Sequence, residues 1–365
     1  MDNTIVVSTP PHVKSARTTK GIMLDVVIAL LPCFIAGCVF FGWQALVITL
    51  ISVISAVAAE FVYFFIENKG FNNKCKNAKA VIKRWYGQFD YTSVVTGLIL
   101  ALILPVAEEK WYELTYEVII GAVFAIAVVK MLFGGTGKNL VNPAAAGRVF
   151  IFLSFSIVSY AACNIAALSD GGTLFTGATN LSALLADPDI TLNGQPVYAE
   201  PTSVTGLLNL FLGTGLKGCI GETCKAAILI GYIYLSVRKV IKWWQPLMFL
   251  ALFGFFAVFM SGFGFENGYK FDMSLYLPHI MSGGAVFAAV FMFTDYVTSP
   301  KCVWGQIVFL VAGAFLLAVL RYFTHKEVAS FVLLLMNLFV PLIDKYVLPR
   351  PFGYKKEKKS KEAAK

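Results

Sequence analysis

Long apolar runs recur along the chain, separated by short polar or basic connections. A helix needs about 20 mostly apolar residues to cross a hydrocarbon core roughly 30 Å thick. By that measure the pattern predicts ten spans, at 22–41, 44–66, 92–106, 117–133, 146–165, 222–241, 244–263, 278–297, 302–322 and 328–347. The third, TSVVTGLILALILP, is short and stops at Pro105, and the eighth, PHIMSGGAVFAAVFMFTDYV, has a Ser-Gly-Gly interruption near its start. Both read as broken or half-spanning helices. Each five-span half places such a segment third, and an odd number of spans per repeat inverts one half relative to the other. Irregular backbone at membrane depth is tolerated only around a protein-lined cavity, so a site is expected where the broken helices meet.

The expected fold class is therefore an all-α integral membrane protein of about ten transmembrane helices, arranged as two inverted five-helix repeats with broken helices. Its parts are a basic leader (1–21), a first half (22–165), a long exoplasmic connection (166–221), a second half (222–347) and a basic tail (348–365). Composition agrees: of 365 residues 58% are hydrophobic and only 14% charged, and mean hydropathy is +0.73, against roughly 25% charged residues in soluble domains. The first 20 residues lack the apolar stretch of a cleavable signal and read as a polar leader.

Charge assigns the sides, because Lys and Arg concentrate in cytoplasmic loops. Lys14, Arg17 and Lys20 precede the first span; Lys69, Lys74, Lys76, Lys79, Lys83 and Arg84 follow the second; KKEKKSKEAAK ends the chain. The connection 166–221 has Lys217 as its one basic residue but carries Asp170, Asp187, Asp189 and Glu200. Both termini are expected in the cytoplasm and that connection outside. The net charge of +9 follows from this topology; the basic tail suits membrane lipid, and nucleic-acid binding is not expected without a basic patch interleaved with aromatics. The seven cysteines form no CxxC pair and no metal-ligand spacing, so no metal site is expected.

Acidic residues within spans are costly and are candidates for function. Glu60 lies well inside the second span and reads either as an ion-pathway carboxylate or as a structural partner. Asp25 and Asp295 lie nearer span ends, where capping or surface placement is the plainer reading, although Asp25 is kept as a second ion-pathway candidate. GGTGKNLVNPAAAGRVF, Gly134 to Phe150, is not a Walker A sequence, which would need Gly at Leu132 and Ser or Thr at Asn139. It reads as a tight turn with Pro143 opening the next helix, or as a ligand loop in which Asn142 lines a site and Arg148 meets a phosphate or carboxylate.

The stretch TGAT, Thr176 to Thr179, falls in the connection assigned to the outside. Gly177 and Ala178 leave the Thr179 hydroxyl sterically open to a modifying enzyme. An unactivated threonine needs such help, being a poor nucleophile without a base or metal.

In order along the chain, TTKGIMLDVVIALLP, TSVVTGLILALILP, GGTGKNLVNPAAAGRVF, TGAT, GETC, TDYVTSP and PRPFGY closely resemble the D subunit of Rnf complexes. These are membrane-bound ferredoxin:NAD oxidoreductases that couple electron transfer to sodium or proton translocation; the B subunit of the sodium-translocating NADH:quinone oxidoreductase is a more distant likeness. The resemblance implies that Thr179 carries FMN through a phosphoester made by a flavin transferase, with Thr176, Gly177 and Ala178 as the recognition context. It further implies an electron relay in the prokaryotic cytoplasmic (inner) membrane, partnered by the A, B, C, E and G components of the Rnf complex, and not catalytic alone. A second, non-covalent flavin such as riboflavin is looked for around Asn142, Arg148, Glu222 and Asp295. The chain departs from the family pattern at Thr173, where an acidic residue is common, at Tyr296 in place of proline and at Cys224 in place of serine. The alternative is a channel, secondary transporter or scaffold of similar fold with no redox cofactor, which flavin content separates.

Overall fold

The computed structural model describes residues 17–71, 78–106, 111–155, 191–192, 195–196, 204–213, 218–261, 271, 273–324 and 327–347. The TGAT stretch 176–179, the end of the expected fifth span and the basic tail lie outside the described residues.

The fold is helical. In chain order the helices are α1 (Thr19–Phe41), α2 (Trp43–Phe65), α3 (Ala78–Gln88), α4 (Thr92–Leu102), α5 (Trp111–Val123), α6 (Pro143–Ser154), α7 (Val204–Leu212), α8 (Lys225–Val237), α9 (Trp244–Ser261), α10 (Tyr276–Met281), α11 (Ala285–Phe291), α12 (Val303–Thr324) and α13 (Ala329–Tyr346). A π-helical turn, Phe124–Met131, continues α5. A two-residue hairpin pairs Thr191–Leu192 with Gln195–Pro196.

Among the described residues, six helical stretches are long and apolar enough to cross a membrane: Thr19–Phe41, Trp43–Asn68, Leu114–Met131, Trp244–Ser261, Val303–Thr324 and Ala329–Tyr346. A seventh is the pair α10 and α11, bent by 62° at residues 282–284 where the Ser-Gly-Gly interruption was expected to break the span. The other three expected spans contain the short apolar helices α4, α6 and α8, of 11, 12 and 13 residues. Each is shorter than the ~20 residues that a full crossing needs.

Packing repeats between the halves. In the first, α2 lies against α4 and α5; in the second, α9 lies against α10, α11 and α12. Like elements also meet across the boundary, α1 on α8 and α6 on α13. Small residues set the closest approaches: a Cβ on Gly97 of α4 would sit 2.9 Å from the Val53 backbone of α2, and one on Gly231 of α8 would sit 2.5 Å from the Ala29 carbonyl of α1. Such contacts replace the hydrophobic driving force that lipid does not provide between helices.

The two half-helices α4 and α11 run in opposite senses. After α4 ends, the carbonyls of Leu102 and Leu104 accept from the N–H groups of Gly221 (2.7 Å) and Ile220 (3.1 Å), so the 219–221 segment pairs with irregular backbone leaving the half-helix. The next residue, Glu222, sits against Gly284 at the start of α11. At the opposite ends, Thr92 opening α4 and Asp295 following α11 line one cavity. This is the inverted arrangement that the odd span count implies.

Candidate functional site

The first site is the cavity between the start of α4 and the segment after α11. A cavity of about 100 Å³, partly open to solvent, is bounded by residues from α1, α4, the π-helical turn, the 134–144 loop, the end of α8 and the segment after it, and residues 290–297. The wall has the usual character of small-molecule sites: apolar side chains such as Val95, Ile99 and Phe291, with a few polar groups among them. Thr92, Lys130, Asn139 and Asn142 are among these polar groups. Asn139 Oδ1 is buried without a hydrogen-bond partner, which leaves an amide available to a ligand inside the cavity.

Sequence dictates much of this geometry. Gly134, Gly135 and Gly137 adopt φ of +102°, +84° and +87°, a region open to glycine, and fold the loop tightly after the π-helical turn. Asn142 then caps α6, its Oδ1 accepting from the N–H groups of Ala144 (3.1 Å) and Ala145 (3.2 Å), and Pro143 occupies the first turn, where no N–H is needed. Asn337 of α13, fully buried, receives the Asn142 N–H (3.0 Å) and donates to the Thr298 carbonyl (3.1 Å), which ties the loop to the segment beyond α11. Asp295 accepts from Val297 N–H (3.1 Å) and Thr298 Oγ1 (3.2 Å), organising that segment as a turn.

A polar chain leads away from the cavity. Lys130, buried in the π-helical turn, pairs with Glu60 of α2 at 3.1 Å and donates to Thr92 Oγ1. Ser93 donates to the other Glu60 oxygen, and Thr92 Oγ1 donates to Asp90 at 2.5 Å. Burial would raise the Asp90 pKa, but hydrogen bonds from Thr92 and Thr136 and the field of Lys130 outweigh it and hold the carboxyl below its usual range.

The second site lies at the break between α10 and α11. Arg321 of α12, 1% exposed, donates to the carbonyls of His279 (3.0 Å) and Ser282 (3.3 Å) and pairs with Glu327 (2.6 Å). Glu327 in turn accepts from Gly284 N–H at 3.0 Å. Arg148 of α6 pairs with Glu222 at 3.2 Å and donates to Ser330 at 3.2 Å, and Lys225 donates to the Glu222 carbonyl at 2.5 Å. Gly283 and Gly284 are required here, because a Cβ on either would collide with the carboxylates of Glu327 and Glu222. Two buried cations, Lys225 and Arg321, and the partly buried Arg148 thus surround the open backbone together with the carboxylates of Glu222 and Glu327, which offset most of the cost of burying charge.

The four residues expected around one ligand therefore divide between two places: Asn142 and Asp295 line the cavity, whereas Arg148 and Glu222 belong to the cluster at the helix break. Glu60 is ion-paired beside the cavity. Asp25 departs from the expected capping or surface role. It is buried and held by Arg238 (3.0 Å) and Tyr234 (3.0 Å), joining α1 to α8. Thr176, Gly177, Ala178 and Thr179 lie outside the described residues. Missed in the sequence were Lys130, Lys225, Arg321 and Glu327. The signal was present for three of them, since basic side chains inside apolar runs are as costly as acidic ones; Glu327 sits in a short connection that carries no pattern.

Together these features define a multi-pass membrane protein built on two inverted sets of helices, with a cavity at one half-helix and a charge cluster at the other. The sequence profile of the NQR2, RnfD, RnfE family matches residues 6–353, and the chain belongs to that family. It is 34% identical over 361 residues, 98% of each chain, to the D subunit of the Na(+)-translocating ferredoxin:NAD(+) oxidoreductase complex of Acetobacterium woodii. It is 32% identical, over 96% of this chain and 97% of the other, to the D subunit of the proton-translocating ferredoxin:NAD(+) oxidoreductase complex of Clostridium ljungdahlii. The D subunit of the ion-translocating oxidoreductase complex of Psychromonas ingrahamii shares 26% over 95% and 98% of the two chains.

Proposed function

We propose that this chain is the flavin-carrying membrane subunit of an ion-translocating ferredoxin:NAD oxidoreductase in the cytoplasmic membrane, both termini inside, that relays electrons and couples them to movement of sodium or protons. The observation that carries the reading is the cavity at the start of α4, joined through Lys130 to Glu60, in a chain that matches its oxidoreductase-complex relatives along nearly its whole length. The connection 166–221 faces the outside and presents Thr179 to a flavin transferase, and electrons come from a neighbouring subunit of the same complex.

A second, non-covalent flavin such as riboflavin is assigned to the open side of this cavity, with only part of the molecule inside it. The unpartnered Asn139 Oδ1 offers an acceptor to an N–H on the pyrimidine edge of an isoalloxazine, Asn142 and Thr92 border the same space, and the apolar wall suits its benzenoid end. Flavin bound there supplies one-electron exchange. The chain positions it, shields it from water and sets its electrostatic surroundings. Lys130 faces both the cavity and Glu60, so a change of charge in the cavity shifts the Lys130–Glu60 pair and alters how strongly Glu60 holds a cation. Coupling requires such differential binding between states. Asp25, locked to Arg238 and Tyr234, serves structure better than an ion path.

In-gel flavin fluorescence of the denatured chain, co-produced with a flavin transferase, tests the covalent relay. A fluorescent wild-type band that disappears in Thr179→Val supports it. A dark wild-type band, with the transferase active on a control substrate, overturns it and favours a channel or scaffold.

A further inference from the structure

Helix α3, AKAVIKRWYGQ, carries three basic residues and no acidic one, and joins α2 to the half-helix α4. Its orientation is fixed. Val81 is fully buried, the Trp85 ring meets Phe61 of α2 edge-on at 5.2 Å and Phe89 at 5.0 Å, and Lys20 at the start of α1 donates to the Gly87 carbonyl at 3.1 Å. These contacts place α3 at the end of the bundle where α1 begins. Arg17 lies at the same end, donating to the carbonyl of Arg238 at the close of α8.

Away from Val81 and Trp85, helical spacing puts Lys79, Ile82, Lys83 and Tyr86 on one face, with Arg84 about a further 100° round from Lys83. All five are exposed; Ile82 is 49% and Tyr86 76% accessible. Three charges keep such a helix out of hydrocarbon, while two exposed apolar side chains favour leaving water. The surface of the bilayer satisfies both, with apolar side chains dipping inward and lysine stems reaching out to the head groups.

We infer that α3 is an interfacial helix whose Lys79, Lys83 and Arg84 bind the phosphates of anionic phospholipid, with Ile82 and Tyr86 inserted among the acyl chains. The surface is built by packing before lipid arrives, since Trp85 and Val81 hold the basic face in place. Charge complementarity selects anionic over zwitterionic head groups, because each base near a charged leaflet adds to the attraction and that attraction is screened by salt. The inference does not depend on the flavin.

Native mass spectrometry of the full-length chain, exposed to equal amounts of phosphatidylglycerol and phosphatidylcholine, tests it. Wild type is expected to retain phosphatidylglycerol in preference by about tenfold, and the preference is expected to fall as salt is raised. Lys79→Gln/Lys83→Gln/Arg84→Gln should bring the two lipids to near parity, while Lys358→Gln/Lys359→Gln/Lys361→Gln in the tail should leave the preference intact. A salt-independent preference in wild type, an unchanged preference in the α3 variant, or its loss in the tail variant would overturn the assignment. So would an α3 variant that keeps its lipid but loses a subunit of the complex, which would make the face a protein interface.

Discussion

Lys130 and Arg321 occupy matching places in the two halves. Each is 1% exposed near the end of a long span, each bonds at the start of a half-helix, through Thr92 in one case and the Ser282 carbonyl in the other, and each pairs with one glutamate. A cation beside a helix N-terminus opposes the helix dipole. Glu60 with Asp90, and Glu327 with Glu222, restore the balance.

Arg321→Met is expected to destabilise the protein by about 3–5 kcal/mol, the range for removing one partner of a buried pair, because Glu327 is then left uncompensated. Arg321→Lys should recover only part of this, since one ammonium does not reproduce the fork that reaches two carbonyls and a carboxylate. Thermal unfolding in detergent reads both.

Glu60→Gln should leave assembly and flavin content intact while lowering ion transport by the reconstituted complex. Lys130→Met alone should be more damaging to stability than Lys130→Met combined with Glu60→Gln, because the double change removes both charges. A double-mutant cycle with strictly additive effects would contradict the pairing.

Two glycines separate strain from collision. Gly135 has φ +84° with nothing near its absent Cβ, whereas Gly283 has φ +67° and faces the Glu327 carboxylate. Gly135→Ala is expected to cost about 1 kcal/mol and Gly283→Ala clearly more, measured by denaturation of the purified chain.

The depressed Asp90 pKa contributes stability that is fully present above the unfolded value of about 4 and is lost as pH falls through the lower folded value. Asp90→Asn should flatten that part of the acid limb, and Thr92→Val should shrink it. Stability measured from pH 3 to 7 checks the sign.

The membrane character, the two interrupted segments and the inverted sense of the halves were legible because hydropathy has a length scale and Ser-Gly-Gly and Leu-Pro are strong breakers. Pro143 after Asn142 announced a helix start. The division of Asn142 and Asp295 from Arg148 and Glu222 was not legible, since Arg148 follows Asn142 by less than two turns of α6 yet belongs to the other site. Nor could spacing show that Asn337, some 195 residues on, receives the Asn142 N–H. Such contacts arise from how α6 meets α13, and no local pattern records that.

The hydrogen bond from Gly221 to the Leu102 carbonyl has a temporal side. The two residues are about 120 positions apart, so at about 5–20 residues per second the ribosome delivers Gly221 on the order of ten seconds after Leu102. Throughout that interval the carbonyls at the end of α4 lack their final partners, in surroundings where an unsatisfied one is expensive. The third segment therefore completes its backbone pairing only after synthesis has reached residues 219–221, so the order of synthesis determines when that half-helix is fully satisfied.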